Sequence, residues 1–195
     1  MKKEFTLTVY TEKQVGLINK IAIMFSRRKI SLESFNTSPS EVPNIYRFTI
    51  VVIESEAVVK NLVKQIEKIV DVFKVFYNTN DEIVWQQMAL YKVPTEVIIK
   101  EVKVERLLRE YGAKAVVIRS DYTVFEATGQ GDEINKLLKK LDKFGLIEFV
   151  RSSRIAIINA SDGIHKKVVE MEMQNPALQS INNTFLDKKD QIFQM

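Results

Sequence analysis

Phe5, Leu7 and Val9 alternate with Thr6, Thr8 and Tyr10, which predicts a short strand with one apolar face. From Gly16 the period changes: Leu17, Ile18, Ile21, Met24 and Phe25 recur at helical spacing, with Lys20, Arg27 and Arg28 off that stripe. Two β-rich runs follow, Ile30 to Thr37 and Ile45 to Ile53, and the prolines and small polar residues between them suit a link between neighbouring strands. Ser55 and Glu56 open a second helix with Val58, Val59, Leu62, Val63, Ile66 and Ile69 on its stripe, and Val72 to Tyr77 restores the strand pattern. The first half therefore reads βαββαβ.

The polar run Asn78-Thr79-Asn80-Asp81-Glu82 is the best boundary in the chain. Beyond it, Ile83 to Val93 is strand-like as far as Pro94. Thr95 is placed to cap one helix carrying Val97, Val104, Leu107, Leu108 and Tyr111, with Gly112 at its end. Ala115 to Ile118 and Thr123 to Thr128 form a strand pair, Gly129-Gln130-Gly131-Asp132 leads into a helix striped by Ile134, Leu137, Leu138 and Leu141, and Leu146 to Ile158 returns to strand character. The element order repeats although the residues do not, and each half has the order of a ferredoxin-like split βαβ fold. The expected class is α+β: two ferredoxin-like βαββαβ domains, 1–79 and 83–159, and a polar tail over 160–195 with a helical pattern at Lys166 to Met173.

Composition sharpens this picture mainly by exclusion. A chain of 195 residues, 46% apolar, supplies cores for two small domains. The absence of cysteine removes disulfides, thiolate metal sites and cysteine nucleophiles together and suits a reducing compartment. After Met1-Lys2-Lys3 the residues alternate instead of forming a signal-peptide core, and no stretch approaches the ~20 apolar residues of a membrane span. A cytoplasmic protein is expected. The pI of about 9.1 reflects an excess of only four charges. Lys64-Glu67-Lys68 and Lys136-Lys139-Lys140-Asp142 read as solvated helix faces, so neither nucleic acid nor membrane is expected as a partner.

Catalytic chemistry finds little to work with. The only histidine, His165, stands in the polar tail, and no HExxH, GxSxG, P-loop or GxGxxG pattern is present. Gly129-Gln130-Gly131-Asp132 lacks the lysine a phosphate loop needs and reads as a tight strand-to-helix turn, while Trp85 reads as a packing or interface residue. The informative segment is Thr11 to Ile18. Gly16 lets the backbone come close to a partner where a helix begins with exposed amides and the positive end of its dipole. The carboxylate of a free amino acid suits the amides around Val15 to Ile18, with Val15 and Leu17 offering apolar contact. The plainer alternative is a glycine that only caps the helix.

The run from Val15 to Phe35, VGLINKIAIMFSRRKISLESF, resembles the signature of ACT domains and, more specifically, the regulatory subunits of acetohydroxyacid (acetolactate) synthases. Ser38-Pro39, the strand Tyr46 to Ile50 and the run Gln65 to Val75 agree, and residues 84–158 follow the family's C-terminal domain more loosely. The resemblance implies a non-catalytic subunit that activates a large catalytic subunit and confers feedback inhibition by branched-chain amino acids, chiefly valine. Thiamine diphosphate, Mg and FAD would then belong to the catalytic partner, and this chain would pair through its ACT domains as a homodimer or higher. The effector would sit between the helix-one turn of one module and strand two of its neighbour, which maps it onto Lys13, Val15, Gly16, Leu17, Ile18, Ser31 and Leu32. Ser31 stands where the family often has an asparagine, and Lys13 aligns with another; a shorter hydroxyl makes fewer hydrogen bonds than an amide, which lowers the expected affinity for valine. The rivals are a stand-alone ACT-domain sensor for another enzyme and an RNA-binding βαββαβ module, the latter lacking the aromatic-rich stacking motif in its third strand.

Overall fold

A computed structural model of the chain describes residues 1–164 and 166. It divides into two compact units: Met1–Glu33, Thr37–Glu82 and the described residues from Ile158 in the first, Ser34–Asn36 and Ile83–Ile157 in the second.

The first half of the chain forms β1 (Lys3–Glu12), α1 (Leu17–Arg27), β2 (Ser34–Pro39), β3 (Ile45–Glu54), α2 (Glu56–Ile66) and β4 (Val72–Asn78), and its sheet has the order β2-β3-β1-β4. This is the split βαβ order, with β1 antiparallel to both β3 and β4. Phe5, Leu7 and Val9 pair across to Val52, Ile50 and Phe48, and all six are buried with Leu17, Ile21 and Phe25 of α1 and Val59, Leu62 and Ile66 of α2. Each such side chain contributes on the order of 1.5–3 kcal/mol by leaving water. β1 is buried on its other face as well, through Thr6, Thr8 and Tyr10.

The second unit contains β5 (Ile83–Pro94), α3 (Thr95–Lys100), α4 (Val102–Glu110), β6 (Lys114–Ile118), β7 (Tyr122–Gly129), α5 (Gly131–Asp142), β8 (Glu148–Arg151) and β9 (Ile155–Ile158). Its sheet repeats the order as β6-β7-β5-β8, and β9 also pairs with β5. Ala89, Tyr91 and Val93 form its core with Leu107, Leu108, Phe125, Ile134, Leu137 and Leu141. Tyr91 Oη donates a hydrogen bond of 3.0 Å to the Ile134 carbonyl.

Five expectations change. Strand two begins at Ser34, not Ile30, because α1 ends in a Schellman turn: the Ile30 amide reaches back to Phe25 O (3.1 Å), the Lys29 amide to Ser26 O (3.0 Å), and Lys29 takes φ 55°. Thr95 is the first helical residue and Pro94 the cap, since proline fixes the extended backbone there (φ −61°, ψ 132°). The single helix expected after Pro94 is two, broken at Glu101 (φ −112°, ψ 90°) within a sequence rich in β-branched Val97, Ile98, Ile99, Val102 and Val104. The last strand is split into β8 and β9. The Ser152 hydroxyl accepts the Met88 amide at 2.9 Å, and the buried Arg154 guanidinium lies 3.6 Å over the Trp85 ring. The segment from residue 160, read as a polar tail, includes Ile164, which is buried against Tyr10, Val42 and Ile45. His165 lies outside the described residues, as does the helical pattern at Lys166 to Met173 apart from Lys166 itself.

Candidate functional site

β1 occupies the middle of the first sheet, and the turn that leaves its end is pinned on two sides. The Glu12 amide donates to Asp71 O (2.9 Å) and the Lys13 amide to Asn44 O (3.1 Å), where Asn44 itself turns with φ 62°. Lys20 binds Asp71 through a 3.0 Å ion pair, tying the first turn of α1 to the same loop. The chain thus reaches Gly16 from a fixed starting point.

Gly16 is the N-cap of α1 with φ 84° and ψ −5°, a left-handed conformation that favours glycine. A Cβ built there would meet nothing within 4 Å, so the glycine answers to backbone conformation and leaves open space beside the helix start. No side chain caps the helix and its first turn holds no acid. The Lys20 amide takes up Gly16 O at 3.1 Å, and the Leu17 amide makes only a long 3.5 Å bond to Gln14 O. The first-turn amides have no intrahelical acceptor, and the dipole adds positive potential at the same place. Lys13 adds a cation, with Nζ 5.9 Å from the Tyr46 ring centre. The arrangement suits a small carboxylate.

Of the residues singled out from sequence, Lys13, Val15, Gly16 and Ile18 lie on one exposed turn, Val15 at 101% and Ile18 at 47% exposure. Leu17 differs: at 1% exposure its side chain belongs to the core, and only its amide can serve a ligand. Ser31 and Leu32 are exposed and follow the other end of α1. An 11-residue helix is about 16 Å long, so one chain does not bring Ser31 and Leu32 to Gly16. The two sets lie at opposite ends of the helix. Sequence reading missed Asn44 and Asp71, whose carbonyls anchor the turn; only the Asn44 preference for turns hinted at them.

Elsewhere the chemistry is sparse. Among the described residues no group of three or more His, Cys, Asp or Glu side chains is placed to hold a metal. The Gly129–Gly131 turn is closed by a capping box in which Glu133 accepts the Gln130 amide at 2.9 Å. Burial raises the Tyr10 hydroxyl pKa, with Arg47 opposing, and pushes Tyr91 up to about 12.

Comparison with known proteins bears on both units. Residues 7–74 match a family model described as the AHAS small subunit-like ACT domain, and residues 86–160 one described as the small subunit of acetolactate synthase. The acetolactate synthase small subunit of Bacillus subtilis is 32% identical over 157 residues, 80% of this chain and 90% of that protein. That of Mycobacterium leprae is 30% identical over 159 residues, 82% of this chain and 94% of that one. The crystal structure of the small subunit from Thermotoga maritima has the same fold, with a TM-score of 0.74 at 22% identity over 82% of this chain and 99% of that chain.

Proposed function

The chain belongs to the acetolactate synthase small-subunit family, and from that premise we propose that it is the non-catalytic regulatory subunit of the enzyme. It docks on the large catalytic subunit, raises its activity, and relays feedback inhibition by a branched-chain amino acid such as valine. Thiamine diphosphate, Mg and FAD belong to the partner in this reading, and the cytoplasm is where both would work.

The observation that carries the proposal is the Gly16 turn: an uncapped helix start, free of acid, at the end of the central strand. The effector carboxylate binds the amides of Leu17 and Ile18, with Lys13 adding charge and Val15 and Ile18 meeting the aliphatic side chain. Ser31 and Leu32 of a second copy complete the pocket, the Ser31 hydroxyl accepting from the effector ammonium. Because each chain holds two halves about a helix length apart, a bound effector bridges two copies and favours one arrangement of the pair. The effector acts only through its difference in affinity between arrangements, so inhibition and binding are two readings of one coupling.

The test is acetolactate production by the purified catalytic subunit with and without this chain, each repeated with valine. Stimulation reversed by valine is the expected result. Stimulation untouched by valine, leucine or isoleucine removes the effector assignment. No stimulation, with valine still bound in calorimetry, leaves a stand-alone sensor.

A further inference from the structure

α4 and α5 present facing stripes in the second unit, Lys103, Arg106, Leu107 and Glu110 on one helix and Lys140, Lys143 and Phe144 at the end of the other, around an open groove of about 260 Å³. The spacings i, i+3 and i+4 put Lys103, Arg106, Leu107 and Glu110 on one face of α4, while Lys140 stands in the last turn of α5 and Lys143 and Phe144 in the turn that follows it. Four cations therefore line the groove against one carboxylate. Among the described residues none of the four forms an ion pair, although Glu105 binds Arg109 at 2.6 Å on the same helix and Glu96 binds Lys100. Lys140 has only the Tyr111 ring, 4.9 Å from its Nζ.

This concentration of charge is unfavourable in the chain by itself. Lys103 and Arg106 are like charges at i, i+3, as are Lys140 and Lys143, and both pairs line the same groove. The dipole explains Lys140 and Lys143, near the C-terminus of α5. It works against Lys103, the second residue of α4, where positive charge is disfavoured. Read one helix at a time these lysines are a solvated surface; together they call for a counter-charge. The floor adds a second requirement, since Leu107 is buried and Phe144 half-buried, an apolar seat between cationic walls. The volume falls below the roughly 300–1,000 Å³ of sites that enclose a small molecule, and the groove is open, which suits side chains offered by a larger surface.

We propose that the α4–α5 groove docks an acidic segment of the catalytic subunit, its carboxylates against Lys103, Arg106, Lys140 and Lys143 and an apolar anchor on Leu107 and Phe144. This rests on the regulatory-subunit reading above and locates one of its contact surfaces. Paired charges of this kind act on association rate and salt dependence, and the apolar anchor on lifetime.

The test uses the full chain and purified catalytic subunit, with affinity measured at low and at roughly physiological salt. Arg106→Glu combined with Lys140→Glu is expected to weaken binding at least tenfold at low salt and to flatten its salt dependence, with the melting curve unchanged. Arg106→Gln with Lys140→Gln, which adds no repulsion, should fall between. Wild type and variants binding alike overturns the inference alone. A wild-type chain that does not bind the catalytic subunit at all sinks the regulatory-subunit reading and this inference with it. Retention of random RNA by the wild type but not the Glu variant, with catalytic-subunit affinity equal in both, assigns the groove to nucleic acid and overturns the inference as well.

Discussion

Both units place a helix directly after the strand at the centre of their sheet, α1 after β1 and α3 after β5, and the two junctions are built from opposite materials. In the first unit Gly16 turns left-handed before an 11-residue helix whose start no side chain caps. In the second, Pro94 is extended, the Thr95 amide donates to Asp121 O (3.2 Å), its hydroxyl donates to Arg119 O (2.7 Å), and that hydroxyl lies 2.8 Å from the Thr123 hydroxyl. The helix that follows is only six residues long. Topology repeats; the open helix start does not. A βαββαβ order fixes where a junction stands; neither helix start has a side-chain cap, and the two differ in the left-handed glycine of the first and in the Glu96 carboxylate and occupied Thr95 amide of the second.

The largest expected break in the comparison comes at high pH. Each unit buries a tyrosine on its central strand, and burial raises both hydroxyl pKa values against an opposing arginine, Arg47 at Tyr10 and Arg151 at Tyr91, with Tyr91 pushed up to about 12. An unfolded tyrosine titrates near pH 10. Between pH 10 and 12 the unfolded chain releases a proton that folded Tyr91 retains. The stability is therefore complete below pH 10 and is lost as pH rises toward 12, by roughly 2 kcal/mol. Urea unfolding followed by the fluorescence of Trp85 should show this slope. Tyr91→Phe should flatten it while costing about 1 kcal/mol at neutral pH through the lost bond to Ile134 O. An unchanged slope in that variant would assign the alkaline loss elsewhere.

The next effect is at the junction itself. Gly16→Ala meets no neighbour within 4 Å, so its cost is conformational, about 1 kcal/mol for holding alanine at φ 84°. The same strain moves the first-turn amides, and valine reversal of the stimulation should weaken while the stimulation itself persists. Pro94→Ala, at the junction with no open helix start, should leave the valine response as it was. A valine response unaltered by Gly16→Ala would remove the turn from the effector site.

How much of this was legible depended on whether the physics was local. The alternation of Phe5, Leu7 and Val9 and the stripe of Leu17, Ile21 and Phe25 state their faces directly, and the sheet order followed from the element order. The alternation says nothing of the cover over Thr6, Thr8 and Tyr10, which are buried too, because hydropathy does not say what lies over a sheet. Gly16 was legible since glycine before an apolar stripe has few uses. Leu17 was given an apolar ligand contact although it also stands on the apolar stripe, and the stripe decides: its side chain is in the core and only its amide is left for a ligand. The α4–α5 groove was invisible, since Lys103 and Lys140 lie far apart in sequence and each helix alone shows mixed charge. The break at Glu101 was equally hidden: Val97, Val104, Leu107 and Tyr111 keep a helical spacing across it.

The smallest effect tests the likeness of the units. α1 and α4 end in the same Schellman turn: Ile30 to Phe25 O and Lys29 to Ser26 O in the first, Ala113 to Leu108 O (2.8 Å) and Gly112 to Arg109 O (3.1 Å) in the second. The left-handed position is Lys29 at φ 55° in one and Gly112 at φ 62° in the other. Lysine at that position pays for a Cβ close to the following carbonyl, and glycine does not, though glycine also has more freedom to lose on folding. Lys29→Gly should therefore stabilise the first unit by about 0.5 kcal/mol, and Gly112→Lys should destabilise the second by about 1 kcal/mol, since no neighbour lies within 4 Å of a Cβ at Gly112 to add a clash. Denaturation midpoints that move in opposite directions confirm that one conformational rule closes both helices. A loss on Lys29→Gly would mean that the lysine side chain contributes more along the surface of α1 than its backbone strain costs.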